Sequence, residues 1–242
     1  MSVSVILEAS SGRQLVLSHY APGEQCRPHR HDRAQLSLLL AGGYVEDSEA
    51  GRARADGPSL SRKPGGFEHQ NRFGDAGALI LSLNIEAAPA PDRYFVAPRP
   101  AGVAGPAGLR RMADGGTEVA ALMESVPTGM LTPAPAPQPW LSAAHDRLLT
   151  EAGLSIAALA RSFGLHPVRF ARLFRETFAQ SPTAARQNLR AARAVGRLIR
   201  TATPLAEVAA AEGFADQAHL SRAISQTTGW SPGRLRRLFA GR

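Results

Sequence analysis

Apolar residues near the C-terminus recur with helical spacing and are followed by a turn and a polar helix start. Leu205, Val208 and Ala209 lie at i, i+3 and i+4, which places them on one face of a short helix. Gly213 is suited to end that helix, and Asp216 is suited to cap the next one. This order predicts a helix-turn-helix, in which the second helix presents its N-terminal side chains to the DNA major groove. For a single segment, an ordinary helical hairpin is the alternative.

The same pattern occurs about 50 residues earlier, and this repeat separates the two alternatives. At a spacing of 49, the matched positions are Ile156, Leu159, Ala160 and Gly164 against Leu205, Val208, Ala209 and Gly213. At a spacing of 50, they are Phe170, Arg172, Phe174 and Ser181-Pro182 against Leu220, Arg222, Ile224 and Ser231-Pro232. Matched apolar, capping and arginine positions in two copies favour two helix-turn-helix units. The second helix of each unit is called its recognition helix below.

Further helical patterns extend the two units into an all-α domain over 140–242. Trp140–Thr150 has an apolar stripe, and Ser155 and His166 precede the next two helices. A long helix over Thr183–Arg200 joins the units. Its roughly 18 residues would span about 27 Å, which suits two recognition helices in successive major grooves on one DNA face.

The N-terminal half shows the shorter period of β-strands. Strands are predicted over Val3–Leu7, Gln14–His19, Gln35–Leu40, Phe67–Phe73 and Ala78–Ile85. Glycine and proline clusters, among them Gly42-Gly43 and Pro64-Gly65-Gly66, are expected to form the turns. Many short strands without a long helix predict a small sandwich or barrel.

A segment rich in alanine, proline and glycine separates the two halves. We therefore expect domains over 1–98 and 140–242, joined by residues 99–139. Within this connection, Thr117–Val126 has the pattern of a short amphipathic helix, and the proline-rich segment 133–139 is expected to be stiff.

Charge is distributed unevenly between the halves. The chain carries 28 basic and 20 acidic residues, a net charge of +8. Residues 141–242 contain 15 arginines and 6 acidic residues, a net charge of +9, whereas residues 1–140 have a net charge of −1. All the excess positive charge therefore lies in the helical half, as binding to nucleic-acid phosphates requires.

The remaining composition predicts a cytoplasmic protein without a membrane partner. No apolar run approaches the roughly 18 residues that span a bilayer. The N-terminus lacks the basic start and apolar core of a signal peptide. Cys26 is the only cysteine, which excludes an internal disulfide and fits a reducing compartment.

The segment from about Trp140 to Arg237 resembles the DNA-binding domain of the AraC/XylS family of transcription regulators. The second unit, GFADQAHLSRAISQTTGWSPGRLRR, is similar to the family signature nearly throughout. Ile224 stands where the family usually has Phe, and His166 where a Ser often caps the first recognition helix. The resemblance implies a homodimer that binds double-stranded promoter DNA, with RNA polymerase as a further candidate partner. The helix over 117–126 would then be either a dimer contact or a cover for its own domain.

Outward positions of the recognition helices are the candidate DNA contacts. They are Val168, Arg169, Arg172 and Arg175 in the first helix, and Gln217, His219, Ser221 and Arg222 in the second. Arg172 and Arg222 occupy the same repeat position, and arginine is the commonest reader of guanine. We expect these two to contact bases or the adjacent phosphates. Gln217 could read adenine, whereas Arg169 and Arg175 are expected to contact phosphates.

A second resemblance lies within the β-rich half. The pattern Gly23-x5-His29-x-His31-x3-Gln35-x6-Gly42 resembles the first motif of the cupin superfamily, with Gln in place of the usual Glu. Pro64, Gly66 and His69 match the middle of the second cupin motif, whereas Pro58 and Phe73 depart from it. The resemblance implies a β-barrel with a pocket at its mouth. The predicted fold is thus a two-domain α+β protein, a cupin-like β-barrel followed by an all-α domain with two helix-turn-helix motifs joined by a long helix.

In a metal-binding cupin, the corresponding ligands would be His29, His31, Gln35 and His69. Three imidazoles and one oxygen suit a divalent transition metal, although a glutamine should bind it more weakly than a carboxylate. Two alternatives remain: a pocket that is empty or holds an organic ligand, and exposed histidines without a binding role. Cys26 could add a soft ligand, but a plain strand residue is the simpler interpretation.

Together these expectations describe a regulator without enzymatic activity, whose N-terminal domain senses a small molecule or metal. A metal-dependent cupin enzyme, such as an oxygenase or isomerase with an appended helical domain, is the alternative. A third class, a non-specific nucleoid protein, would bind all DNA alike. Site-specific, salt-sensitive DNA binding without turnover of a small substrate would distinguish the regulator from both.

Overall fold

A computed structural model of the chain describes residues 1–10, 12–86, 94–98, 137–151 and 153–241. The helix predicted over 117–126, with its proposed dimer contact, lies outside these ranges, as does most of the proline-rich segment 133–139. Within the described ranges, no helix is both long enough and apolar enough to cross a membrane.

Eight strands in the described residues form one antiparallel sheet, here called the β-domain (residues 1–98). They are β1 (Val3–Ser10), β2 (Arg13–Tyr20), β3 (His29–Arg30), β4 (Ala34–Ser48), β5 (Gly51–Ala55), β6 (Ser59–Lys63), β7 (Glu68–Ile85) and β8 (Phe95–Pro98). Neighbouring strands follow the order β1-β2-β7-β4-β6-β8, with β3 paired to β7 and β5 paired to β4. The predicted β-rich N-terminal domain is confirmed, but its described strands form an open sheet rather than a closed barrel.

Two strands are longer than predicted because glycines lie inside them rather than in turns. β4 continues through Gly42 and Gly43, and β7 joins the two strands predicted over 67–73 and 78–85. A Cβ on Gly42 would lie 2.0 Å from the Gly77 carbonyl oxygen, and a Cβ on Gly77 would lie 2.3 Å from that of Tyr20. Because glycine has no Cβ, the backbones of neighbouring strands can come into direct contact at these two positions. The true reversal after β4 falls at residues 49–50.

Seven helices in the described residues form the C-terminal half. They are α1 (Pro139–Thr150), α2 (Ile156–Ser162), α3 (Pro167–Phe178), α4 (Pro182–Arg200), α5 (Leu205–Ala211), α6 (Gln217–Thr228) and α7 (Pro232–Ala240). The pairs α2–α3 and α5–α6 are the two predicted helix-turn-helix units, and α4 is the predicted connecting helix. The departure at His166 does not remove the cap, because its Nδ1 accepts the Val168 backbone N–H at 3.3 Å.

The repeat extends to two arginines that the motif comparison did not single out. Each guanidinium donates to carbonyl oxygens at the end of one helix and shortly before the next: Arg186 to Leu148 and Leu154, and Arg236 to Leu198 and Thr203. These partners are again separated by one repeat. In both units, the helix that follows the recognition helix is thus joined by the same contacts to the helix that precedes the unit.

Helix α4 joins the two helix-turn-helix units and also packs on the β-domain. Its buried Ala191 and Val195 belong to the same apolar cluster as Leu38 and Leu81 of the sheet. Asn188 Nδ2 donates to the Gly42 carbonyl oxygen at 3.0 Å. Among the further polar contacts across the interface, Arg54 Nη2 donates to Asp146 Oδ1 at 2.9 Å, and Gln180 Nε2 donates to the Asp56 carbonyl oxygen at 2.6 Å. The helix that spaces the recognition helices therefore also contacts the N-terminal domain.

His19 on β2 gives this interface an acid sensitivity. It is 1% exposed, and both ring nitrogens are buried without a hydrogen-bond partner. Burial, with a smaller contribution from Arg200, lowers its pKa from 6.5 to about 4. Because His19 resists protonation in the folded state, it lowers the free energy of unfolding in acid. Its contribution to stability is complete above the unfolded pKa of 6.5 and is lost as pH falls towards the folded pKa of about 4.

Replacing His19 by leucine should therefore reduce the loss of stability in acid. Between about pH 7 and pH 4.5 this histidine should cost the wild type up to about 3 kcal/mol of unfolding free energy. Urea unfolding of wild type and His19→Leu at the two pH values measures the difference. An equal loss in both proteins would contradict the prediction.

Candidate functional site

The first candidate site is formed by the N-terminal turns of the two recognition helices, α3 and α6. The turns before them contain Gly164 and Gly213, both with positive φ, at 68° and 71°. On the inner face of each helix, the apolar residues one turn apart are fully buried: Phe170 and Phe174 in α3, and Leu220 and Ile224 in α6. Burial of this face fixes which side chains of each helix point outward.

All eight predicted DNA contacts lie on these helices, and none of them is buried. Val168, Arg169, Arg172, Arg175, Gln217 and Arg222 are exposed, whereas His219 and Ser221 are half-buried. Val168 is 71% exposed, which is unusual for a large apolar side chain. A methyl-bearing side chain at this position is suited to contact the thymine methyl group in the major groove.

The surface ion pair of Arg172 leaves its guanidinium available for other contacts. Arg172 Nε lies 3.8 Å from Glu176 Oε1, and both side chains are more than 60% exposed. A surface pair of this kind contributes little energy, so the Arg172 guanidinium can exchange the Glu176 carboxylate for a phosphate or a base edge. His219 differs, because its Nδ1 accepts the Ala215 backbone N–H at 3.3 Å and thereby supports the turn. Only its other ring nitrogen remains for a DNA contact.

The second candidate site is a group of three histidines in the β-domain. His29 on β3 pairs with His69 on β7, and His31 follows β3. One ring nitrogen from each histidine lies within 4.8 Å of the others. The structure therefore brings together the three histidines that the cupin motifs predicted as ligands.

Hydrogen bonds and burial prepare these imidazoles to act as ligands. Nδ1 of His29 lies 2.8 Å from the Arg27 carbonyl oxygen, and Nδ1 of His69 lies 3.3 Å from that of Phe67. A carbonyl oxygen only accepts, so Nδ1 carries the proton and Nε2 keeps its lone pair. Burial lowers the pKa of His31, and it lowers the pKa of His69 to about 4. These two rings are consequently neutral near pH 7.

This donor set fits a divalent transition metal. Tetrahedral coordination with metal–nitrogen distances of about 2.0–2.1 Å places ligand nitrogens about 3.4 Å apart, so rings whose nitrogens lie up to 4.8 Å apart would move closer on binding. Backbone carbonyls that orient Nδ1 are the usual support for metal-binding histidines. Gln35, the predicted fourth ligand, donates its amide nitrogen to Asn84 Oδ1 at 3.0 Å. Its carbonyl oxygen is then the only atom that it could offer to a metal.

A buried ion pair beside the histidines was missed by the motif comparison. Lys63 Nζ lies 3.0 Å from Glu46 Oε2, with side-chain exposures of 6% and 0%. Asn71 donates to the same oxygen at 2.9 Å, whereas Glu46 Oε1 is buried without a partner. Burial opposes ionisation of Glu46, but Lys63 and Asn71 outweigh it and lower the pKa of this carboxyl. The sequence contains one indication that Lys63 has a special role, because it is the only lysine among 28 basic residues.

Comparisons with known proteins match the helical half most clearly. A family model described as a helix-turn-helix domain matches residues 159–238. The arabinose operon regulatory protein of Escherichia coli is 34% identical over 88 residues, which are 36% of this chain and 30% of that protein. The chain therefore spans about a third of the length of this relative.

Solved structures resemble each half separately. An AraC-type transcriptional regulator from Chromobacterium violaceum is 26% identical, with a TM-score of 0.39, over 43% of this chain and 94% of its own. A cupin superfamily protein from Desulfitobacterium hafniense is 18% identical, with a TM-score of 0.34, over 36% of this chain and 79% of its own. The sequence matches coincide with the repeated helix-turn-helix units, so this half of the chain is similar in sequence to the DNA-binding half of an arabinose operon regulator.

Proposed function

We propose that this chain regulates transcription by binding promoter DNA with both recognition helices. The observation that carries the proposal is the equivalent placement of Arg172 and Arg222 on two outward helix faces. Each face is supported by the same buried anchors, and the helices on either side of each unit are joined by the same arginine contacts. Helix α4, with 19 residues, separates the units. At about 1.5 Å per residue it spans about 28 Å, comparable to the roughly 34 Å between successive major grooves.

The charge of the helical half predicts a strong salt dependence of DNA binding. Its net charge of +9 contrasts with −1 for residues 1–140. Neutralised phosphates release counterions, so the affinity should fall steeply, by about 10³-fold or more between 50 and 200 mM salt if six phosphates are contacted. Fluorescence anisotropy of the full chain on a fragment of its own promoter region and on a scrambled fragment tests this. A flat salt response, or equal affinity for both fragments, would contradict the proposal.

We propose further that the three histidines form the sensing site of the β-domain. This site would bind a divalent metal, or a small ligand that the metal holds. Neutral rings with oriented Nε2 lone pairs support metal binding. A bound metal would supply an open coordination position for an oxygen of the effector. The effector would alter transcription by favouring one arrangement of two subunits on paired half-sites, with RNA polymerase as the downstream partner.

Replacing His31 and His69 together by alanine should remove the effector response and leave the affinity for a single half-site unchanged. Both residues lie in the β-domain rather than on the recognition helices, so the loss should be confined to regulation. Full-length wild type and double variant would be titrated on one-site and two-site DNA, with and without Zn²⁺ or Fe²⁺. A full response in the double variant would show that the histidines are not the sensing site.

Three histidines with an open position are also what a metal-dependent cupin enzyme would use. The position of the usual acidic ligand is occupied by Gln35, whose amide is held by Asn84. The nearby carboxylate of Glu46 is engaged with Lys63. We therefore propose a regulatory role rather than an enzymatic one. Turnover of a small substrate by the iron-loaded full chain, abolished by His31→Ala, would reverse this choice.

A further inference from the structure

A cavity of about 370 Å³ lies between the β-domain and the helical half, away from the three histidines. Its walls come from β4, β7 and the end of β5 on one side, and from α1 and α4 on the other. Small-molecule sites typically have volumes of about 300–1,000 Å³ and occur preferentially between domains. Both the size and the position of this cavity are therefore those of a ligand site.

One wall carries a buried hydrogen-bond acceptor that no protein group in the described residues uses. Asn188 on α4 is 8% exposed, and its Nδ2 donates to the Gly42 carbonyl oxygen. Its Oδ1 is buried without a partner. An unsatisfied buried carbonyl is unfavourable by about 1–3 kcal/mol. Because Oδ1 is closed to solvent, Asn188 shapes this wall through its bond to Gly42 rather than offering a contact to a ligand.

The exposed side chains that line the cavity include charges of both signs that lack a firm partner. Within the described part of the chain, Arg193 and Asp75 make no ion pair or side-chain hydrogen bond, and Arg72 has only a 3.9 Å contact with Asp47. By contrast, Arg54 is held by Asp56 at 2.5 Å and by Asp146 at 2.9 Å. The free charges thus match a ligand that carries a carboxylate and a cation together.

Apolar side chains complete the walls. Phe73 and Ala76 of β7 lie on one side, and Leu149 and Leu189 of the helices lie on the other. These surfaces would bury an apolar group of the ligand. We propose that this cavity binds a free α-amino acid with an apolar side chain, which contacts Arg193 and Arg72 with its carboxylate and Asp75 with its ammonium group.

The site would connect the two domains through the ligand. Asn188 and Arg193 belong to the helix that spaces the recognition helices, whereas Arg72 and Asp75 belong to the sheet. A ligand that contacts both sides favours the arrangement in which the domains are packed together. This effector site would be separate from the histidine site and does not depend on it.

Calorimetry of the full chain with L-phenylalanine, 3-phenylpropionate and phenethylamine tests the proposal, because the three probes share one apolar body. The two analogues lack the ammonium or the carboxylate group, respectively. Each should bind about tenfold more weakly than phenylalanine, since a charge-assisted contact is lost. Equal affinity for all three, or no binding of phenylalanine at about 10 mM, would overturn the proposal.

Two exposed substitutions locate the site. Arg193→Gln and Asp75→Asn should each weaken phenylalanine binding by about tenfold, because each removes one charged partner. Arg200→Gln is the matched control, since Arg200 lies on the same helix and contacts the Met1 carbonyl oxygen rather than the cavity. Thermal unfolding of all variants should match the wild type. Unchanged phenylalanine binding by both Arg193→Gln and Asp75→Asn would show that the probe binds elsewhere.

Discussion

Replacing Gly42 by alanine should destabilise the β-domain by about 3–5 kcal/mol, which is enough to unfold a protein of ordinary stability. A Cβ at this position would lie 2.0 Å from the Gly77 carbonyl oxygen and 2.9 Å from Ala78 Cα. Both neighbours are backbone atoms of β7, which cannot move aside without breaking the pairing of the two longest strands. The backbone of Gly42 also has a φ of 87°, which L-residues adopt only with strain.

Gly51→Ala provides the matched control for this prediction. Gly51 also has a positive φ, at 103°, but no atom lies within 4 Å of the place that a Cβ would occupy there. The Gly51→Ala variant should lose only about 1–2 kcal/mol of unfolding free energy, from backbone strain alone. Urea unfolding of both variants separates steric overlap from backbone strain. Similar losses in the two variants would show that the close approach of β4 and β7 does not matter.

Replacing Arg172 and Arg222 together by alanine should abolish specific DNA binding. Each bidentate arginine–guanine contact contributes about 1–3 kcal/mol, so the double variant should lose about 2–6 kcal/mol, a factor of about 30 to 10⁴ in affinity. Both side chains are exposed and support no core, so the folded state should be unaffected. Competition binding on the promoter fragment measures the loss.

Arg13→Ala with Arg30→Ala is the control for charge alone. These arginines lie in the β-domain in surface pairs with Glu8 and Glu68, both at 2.9 Å. The control loses the same two charges but should retain most of its specific affinity. If it lost as much affinity as the recognition-helix variant, the net charge rather than base recognition would account for the binding.

The helical half could be predicted closely from the sequence because its signals are local. Caps such as Ser155, Ser181 and Asp216 lie directly before the helices that they begin, and their hydrogen bonds are present. The repeat supplied a second, independent copy of each signal. Ile224, which departs from the family pattern, is still fully buried, since any large apolar side chain can fill that position.

The β-domain was predicted less well because its pairing is non-local. Gly42 and Gly43 carry the same local signal whether they form a turn or a close strand contact, and only the position of Gly77 on another strand decides between them. Glu46 and Lys63 look like surface residues in the sequence. They are buried because strand pairing places them together beside the histidines.

The contact between α4 and the sheet could not be predicted either. Asn188 is one of several polar residues along α4, and nothing in its sequence neighbourhood indicates that it donates to Gly42, 146 residues earlier in the chain. The cavity beside it arises from the packing of both domains. It therefore has no motif of its own.

Base preferences of the full chain, determined by selection from random DNA for wild type, Arg172→Ala and Arg222→Ala, test the central claim most directly. If both recognition helices read DNA, the wild type should specify two clusters of bases separated by about 10 base pairs, one turn of DNA. Each single variant should relax one cluster and leave the other intact. A single cluster in the wild type, or loss of the same bases in both variants, would contradict the account.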